Sequence, residues 1–297
     1  MRFSIWPSPA SPWSETLATV QHAEATGWDG AWYADHFMPN AADNSGPTSE
    51  CWTTLAALAV AVPRIRIGPL VTGNTYRHPA VLAKMAANVQ EISGGRLVLG
   101  LGAGWQENEH AAYGIEFSTI GGRLGRLEEA CAAIKGLLES ERTNLAGRYY
   151  TLTDAPLAPK PPAPIPLLIG GGGEKRTLRI AAKYADEWNV WGTPALLRQK
   201  QEVLDQHCES LGRDPKAIQR SCQAMLTITD DEELVKRISA GGRPVIAGNV
   251  ARVREIIAEY RDAGLNEIII PDWNLGPRER RFATMDQFIK EVAPAFR

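Results

Sequence analysis

Residues 96–110 read RLVLGLGAGWQENEH. An apolar run enters Gly100, Gly102 and Gly104, and a polar, acidic segment follows. The order is strand, glycine turn, helix, and two fold types use it. A dinucleotide-binding sheet needs GxGxxG at this place, whereas residues 100–104 give GxGxG with Trp105 next. A closed barrel of alternating strands and helices would carry the same stretch on its C-terminal rim, where active sites are built. The remainder of the chain decides between them.

Outward from that stretch, short apolar runs alternate with amphipathic ones. Strands are expected at residues 2–6, 30–34, 65–71, 97–101, 166–169, 187–190, 221–226 and 267–270, nearly continuous in hydrophobic residues as strands buried on both faces are. Apolar spacing of three and four predicts helices at 15–26, 79–92, 122–140, 174–184, 196–211 and 250–263. Ser14 is expected to cap the first helix, Pro79 to sit in a first turn, and Gly27 and Gly264 to stop helices. About eight strands alternating with helices imply parallel pairing with right-handed crossovers. The expectation is an α/β fold, a (β/α)8 TIM barrel forming one domain over residues 1–297. An open doubly wound sheet is the second choice.

Two stretches break the alternation. Residues 40–50 are polar and turn-rich, hence a long loop after the second strand. Residues 141–165 hold five prolines, which forbid regular helix, and are expected to form an insertion over one barrel end with a small β-ribbon at 148–152.

Composition excludes some partners. A net charge of −2 gives no whole-protein field to attract nucleic acid or an acidic membrane surface. No apolar run approaches the length of a membrane span, and the N-terminal apolar segment is too short for a secretory signal. Cys51, Cys131, Cys208 and Cys222 lack metal-type spacing and read as buried thiols, so a cytoplasmic location without a metal site is expected.

A second glycine cluster, Gly170–Gly173, follows a strand and precedes Glu174, Lys175 and Arg176. Glycines let main-chain N–H groups approach an anion, and a helix start adds a favourable dipole. Gly171, Gly172, Gly173 and Glu174 therefore form a candidate phosphate cradle, with Lys175, Arg176 and Arg179 supplying positive charge. The second strand ends in Asp35 and His36, and a rim histidine can give or take a proton near neutral pH. Neighbours on an extended chain face opposite ways, so these two are not expected to form a dyad. The third strand ends with Leu70, Val71, Thr72 and Asn74, read either as a polar loop or as a strand end pressed against a planar ligand.

Taken together, WYADHF (32–37), IGPLVTGNTYRHPAVLAKMAANVQEISGGRLVLGLGAGWQENEHAAYGI (67–115), PLLIGGGGEKRTLRIAAKYADEWNV (166–190) and AGLNEIII (263–270) resemble the bacterial-luciferase-like superfamily, in particular its branch using coenzyme F420. The resemblance runs nearly end to end. It implies a cofactor in the C-terminal mouth of the barrel and hydride transfer between the deazaflavin C5 and a small organic substrate. On that resemblance His36 is the catalytic residue, acting on the proton side, and Asp35 lies close to the deazaflavin. It also implies a non-prolyl cis peptide near Leu70 and Val71, cofactor contacts from Ala103, Gly104 and Asn108, and phosphate contacts from Gly172 and Gly173.

The sequence departs from the sugar-phosphate dehydrogenases of this branch, which carry glutamate where Trp105 stands and tryptophan near where Asn40 stands. That argues against a sugar-phosphate substrate. Trp105 reads either as an aromatic wall on substrate or ring or as packing beneath a loop. Glu109 is explained by charge complementarity with a helix start. His110 is unassigned. Three other functions stay open: an FMN-dependent monooxygenase supplied by a separate reductase, a non-catalytic deazaflavin-binding protein, and a phosphate-binding barrel lyase or isomerase. Relatives also suggest a homodimer.

Overall fold

The computed structural model describes all 297 residues. Strand β1 (Arg2–Trp6) leads through α1 (Trp13–Thr26) to β2 (Gly30–Tyr33), and α2 (Cys51–Ala61) returns to β3 (Arg66–Pro69). That strand breaks and resumes as β4 (Thr72–Gly73). Helix α3 (Pro79–Ile92), β5 (Leu99–Gly102), α4 (Glu107–Tyr113) and α5 (Ile120–Glu139) follow, then the strands β6 (Arg142–Ala146) and β7 (Thr151–Pro156). Alternation continues with β8 (Leu167–Gly170), α6 (Thr177–Tyr184), β9 (Glu187–Trp191), α7 (Pro194–Ser210) and β10 (Gln219–Gln223). Next come β11 (Met225–Ile228), α8 (Glu232–Ser239), β12 (Val245–Gly248), α9 (Val250–Asp262), β13 (Glu267–Pro271) and α10 (Arg278–Gln287).

Nine strands form one sheet in the order β3-β2-β1-β13-β10-β9-β8-β5-β4. Because β3 and β4 are two halves of one stave, the sheet has eight staves. A parallel bridge between Ile67 and Leu97 joins its two ends, so the sheet closes as a (β/α)8 barrel. Every pairing inside it is parallel, as crossover helices require. The main core lies between the barrel and its helices. Side chains alternating to the inner face fill the barrel, with Trp32, Val98, Leu168 and Ile269 at mid-height. Below them Glu267 accepts from Ser4 Oγ at 2.6 Å, Trp32 Nε1 at 2.9 Å and Arg66 Nη1 at 3.0 Å, so the floor is an ionic plug. No helix is long and apolar enough to cross a membrane.

Several local expectations are corrected. The N-cap of α1 is Pro12, two residues before Ser14, which lies inside the helix, and no side chain caps it. The inserted ribbon is larger than residues 148–152: β6 and β7 pair antiparallel, with Arg148 in the turn between them. Residues 221–226 do not make one strand. β10 stays in the barrel, and after Ala224 the chain leaves it as β11, which pairs with β12 in a separate two-stranded sheet. Helix α6 begins at Thr177, which leaves Gly171–Arg176 as loop. Gly27 and Gly264 take left-handed conformations (φ 94° and 82°) after α1 and α9, and Pro79 is in the first turn of α3.

Candidate active site

The C-terminal ends of β2, β3–β4, β5 and β8 are neighbours in the closed sheet, so the segments after them form one arc of the mouth. The peptide bond between Leu70 and Val71 is cis and separates β3 from β4. A Cβ on Gly100 would lie 2.1 Å from the Pro69 carbonyl oxygen, one on Gly102 2.7 Å from Val71 Cγ2, and one on Gly170 3.0 Å from both Val71 methyls. The glycines of the opening stretch therefore make room for the adjacent stave, Gly100 for the Pro69 carbonyl and Gly102 for Val71. They do not form a phosphate turn. Gly104 is glycine for a different reason, a φ of 81° with Thr75 Oγ1 only 2.6 Å from where its Cβ would be.

His36 follows β2 and is partly exposed, its side chain 23% accessible. Its Nδ1 lies 2.8 Å from Glu109 Oε1. Glu109, on α4, is fully buried and accepts two more hydrogen bonds, from the Phe37 N–H at 2.7 Å and from the Tyr76 hydroxyl. Burial works to raise the Glu109 carboxyl, yet the donors His36, Phe37 and Tyr76 together hold it below its usual range. An ionised carboxylate can only accept, so Nδ1 carries the hydrogen. The other ring nitrogen, Nε2, has no partner in the chain. The Tyr76 hydroxyl is pushed up by burial and by Glu109 and stays protonated. The explanation of Glu109 by the helix dipole is thus incomplete: it is the partner of His36, reached across 73 residues of chain.

Trp105 is 62% exposed and meets the His36 ring edge-on, centroids 5.4 Å apart, so it stands at the mouth rather than beneath a loop. His110 turns away. It is buried, with Nδ1 donating to the Gln106 carbonyl at 2.6 Å and Nε2 2.7 Å from Thr75 Oγ1. Asn108 bridges locally, its Nδ2 donating to Pro39 O at 3.2 Å and its Oδ1 accepting from Glu109 N at 2.9 Å. Ala103, after β5, is half-buried.

Asp35 has a different partner from His36, so the two form no dyad. Arg77 forks onto its two oxygens at 2.6 and 3.1 Å and also reaches Glu50 at 2.7 Å. Burial pushes the Asp35 carboxyl up and Arg77 pulls it back. With no accessible side-chain surface, Asp35 anchors the segment carrying His36 and does not itself reach the mouth. Thr72 is likewise buried, its Oγ1 accepting from Trp52 Nε1 at 2.9 Å.

On the β8 side, Gly171 (φ 117°) donates to Asn189 O and accepts from Trp188 Nε1, each at 2.9 Å. Its own polar groups are spent. The N–H groups of residues 172–177 bond to nothing within the chain, which leaves Gly172, Gly173 and the start of α6 as open donors. The Glu174 side chain turns aside to Lys200 at 2.8 Å and Gln199 at 3.2 Å, so only its main chain belongs to the cradle. Lys175 and Arg179 are exposed without ion-pair partners.

At the top of the barrel interior, Trp6 packs against Trp273 and Trp191 with centroids 5.0 and 5.9 Å away. Three buried atoms here lack partners: Asn74 Oδ1, Gln223 Oε1 and Trp6 Nε1. Asn74 is held from its other end, Nδ2 donating to the Tyr150 hydroxyl at 3.2 Å. Unpaired buried polar atoms are costly unless a ligand satisfies them. Free amides with two cations suit a phosphate with further negative charge, and the orphaned acceptors and donor suit a polar ring system. The residues present fit a phosphate-bearing flavin or deazaflavin. Sequence reasoning missed Glu109, Tyr76 and the tryptophan cluster, although Trp6 and Trp191 end strands where a barrel builds its sites.

The family model described as luciferase-like monooxygenase matches residues 1–293. An F420-dependent glucose-6-phosphate dehydrogenase of Amycolatopsis mediterranei is 36% identical over 165 residues, covering 55% of this chain and 47% of that protein. The alignment thus spans about half of that relative. A protein of the same name from Intrasporangium calvum is 27% identical over 323 residues and 95% of each chain. Among solved structures, an F420-dependent secondary alcohol dehydrogenase in complex with an F420-acetone adduct superposes with a TM-score of 0.86 over 100% of this chain and 99% of that one, at 21% identity. That likeness shows the same fold. The chain belongs to the luciferase-like monooxygenase family.

Proposed function

We propose that the protein is an F420-dependent oxidoreductase that interconverts an alcohol and a carbonyl compound. The observation that carries the reading is the partly exposed His36, whose Nδ1 is held 2.8 Å from buried Glu109 while Nε2 has no partner in the chain. Relatives named as F420-dependent dehydrogenases support it, as does a structural neighbour with an F420-acetone adduct.

When bound, F420 supplies the two-electron chemistry by accepting or giving a hydride at its deazaflavin ring. Gly172, Gly173 and the start of α6 would hold its phosphate, with Lys175 and Arg179 facing the remaining negative charge. Val71 would support the ring, and Ala103, Gly104 and Asn74 would line it. His36 Nε2 takes the hydroxyl proton as the substrate is oxidised and returns it in the reverse direction. Glu109 stabilises the imidazolium formed in that step and fixes the ring orientation, and Trp105 walls the substrate beside it. Asp35, through Arg77, keeps the strand end in place. We place the enzyme in the cytoplasm as a homodimer, with a separate F420-dependent partner enzyme recycling the cofactor. Its buried, free cysteines are consistent with a reducing compartment.

Titration of the protein with F420 and with FMN, followed by fluorescence, tests the cofactor. Expected is micromolar or tighter F420 binding, with FMN weaker by about tenfold or more. The reverse preference assigns an FMN-dependent monooxygenase. Binding of neither leaves a phosphate-binding lyase or isomerase, and F420 binding without turnover of any alcohol or carbonyl leaves a non-catalytic carrier.

A further inference from the structure

The top of the barrel interior holds a polar side chain that the fold does not use. Gln223, at the end of β10, is 4% exposed, yet its carboxamide makes no hydrogen bond within the chain and its Oε1 is fully buried. Its direction follows from register. Gln223 is level with Ile269 on β13 and with Trp191 on β9, both of which pack inside the barrel, whereas its chain neighbour Cys222 belongs to the core outside it. Trp6 faces the same interior from β1, with only β13 between it and β10, so the two main chains run about 10 Å apart. Its Nε1 is a second buried group without a partner. The carboxylate that follows β13, Asp272, is occupied elsewhere, accepting from the Ser8 N–H at 2.9 Å and facing Arg281 at 3.7 Å. A carboxamide carries two N–H donors and an accepting oxygen, and burying them unmet costs stability.

These two residues share the mouth with His36. Ser4 and Ile5 of β1 are level with Gly30 and Ala31 of β2, so Trp6 is level with Trp32. Ala34 packs in the same inner cluster as Trp6, and His36 comes two residues later. Around the closed barrel of eight staves, β10 is the fourth from the β3–β4 stave in either direction. Gln223 therefore stands across the mouth from Val71. A planar ring supported by Val71 on one face turns its other face toward β10, and the substrate lies between the two. Asn74, on the Val71 side, stays with the ring.

We propose that Gln223 and Trp6 Nε1 form a specificity-determining pair that receives a second polar group of the substrate, an uncharged hydroxyl or carbonyl set apart from the reacting one. Trp191 and Trp273, packed 5.9 and 5.0 Å from Trp6, cover the apolar carbons between the two groups. The substrate class is then an uncharged compound with two oxygen functions: a diol, a hydroxyketone or a dione. This assignment rests on the oxidoreductase reading of the mouth, but its test reads binding alone. Calorimetric titrations compare cyclohexane-1,4-dione with cyclohexanone and heptane-2,6-dione with heptan-2-one. The protein is loaded with oxidised F420, to which a ketone has no hydride to give, so no probe turns over. Wild type, Gln223→Met and the double variant Trp6→Phe, Gln223→Met are measured.

Expected in the wild type is that at least one dione binds about fivefold or more tighter than its monoketone, beyond the factor of about two that equivalent ends supply. The preference should weaken in Gln223→Met and vanish in the double variant. The melting temperature of free Gln223→Met should match or exceed that of the wild type, because the substitution removes a buried amide without a partner. No preference in the wild type for either pair overturns the proposal, as does a preference that survives both substitutions. A clear fall in the melting temperature of Gln223→Met also overturns it, by showing that the amide serves the fold. F420 affinity, read by cofactor fluorescence, should stay within about twofold in both variants; a fall of about tenfold would give the pair to the cofactor ring and sink the assignment. Failure of F420 to bind the wild type would refute the cofactor reading, while the same titrations on the free protein still report on the pair.

Discussion

Replacing Glu109 by glutamine keeps shape and removes charge, and the structure sets the size of the effect. The carboxylate serves three donors: His36 Nδ1 at 2.8 Å, Phe37 N at 2.7 Å and the Tyr76 hydroxyl. A carboxamide has one accepting oxygen. If that oxygen serves His36 and Tyr76, its NH₂ meets the Phe37 N–H and one buried donor is orphaned. If it serves Phe37, the NH₂ faces Nδ1, which must give up its hydrogen, and Nε2 changes from acceptor to donor. Either way at least one charge-assisted bond is lost, each worth about 1.5–3 kcal/mol. If the bond to the imidazolium is fully expressed in the transition state, turnover falls by roughly ten- to a hundredfold. The assay is kcat for an identified alcohol at saturating F420, read by cofactor absorbance, alongside F420 affinity and the melting temperature. Expected is that drop in kcat with F420 affinity kept within about twofold. The variant Glu109→Asp, which keeps the charge, should recover part of the rate. A Glu109→Gln enzyme turning over at the wild-type rate would refute the role given to this carboxylate.

Three further outcomes follow from other parts of the molecule. Gly100→Ala drives a Cβ to 2.1 Å from the Pro69 carbonyl oxygen, so the variant should lose about 2 kcal/mol or more in denaturant unfolding; an unchanged midpoint would contradict the close approach of Pro69 to β5. Replacing both Lys175 and Arg179 by glutamine should weaken F420 binding about two- to tenfold at low salt, with the difference shrinking as salt rises; a salt-independent effect would remove these cations from the site. Asp272 is buried and its carboxyl is raised from 3.8 to about 6, chiefly by burial. A raised acid binds its proton more tightly when folded, so its contribution falls as pH rises from about 4 to 6 and costs up to about 3 kcal/mol at neutral pH. Asp272→Asn should therefore gain on the wild type in unfolding free energy as pH rises through that window; parallel pH profiles for the two proteins would sink this reading.

The barrel was legible because its staves are short apolar runs buried on both faces, and because Gly27, Gly264 and Pro79 punctuate helices in ways their backbone chemistry requires. Helices α8 and α10 were not, since EELVKRIS and RERRFATMDQ are mostly polar and bury little. Helix α2 was hidden for the opposite reason. CWTTLAALAVA is apolar nearly all round and shows little amphipathic period beside the polar loop before it. In the site, His36 stood out by type and place, whereas Glu109 did not. Its function depends on a partner 73 residues away, and its place in the first turn of α4 offered a local explanation. Gly100 and Gly102 carried a real signal whose meaning lay elsewhere: what they admit is the Pro69 carbonyl and Val71 from the neighbouring stave, not a phosphate. Local pattern shows that a glycine is needed, and only the fold shows for what.

The most direct test of the central claim is His36→Ala, with F420 affinity and turnover measured on the same preparation. If His36 moves the proton and the cofactor is held elsewhere, F420 affinity stays within about threefold while kcat falls by roughly a hundredfold or more. Undiminished turnover would take the histidine out of the reaction, and loss of F420 binding with turnover would make it a cofactor-holding group instead.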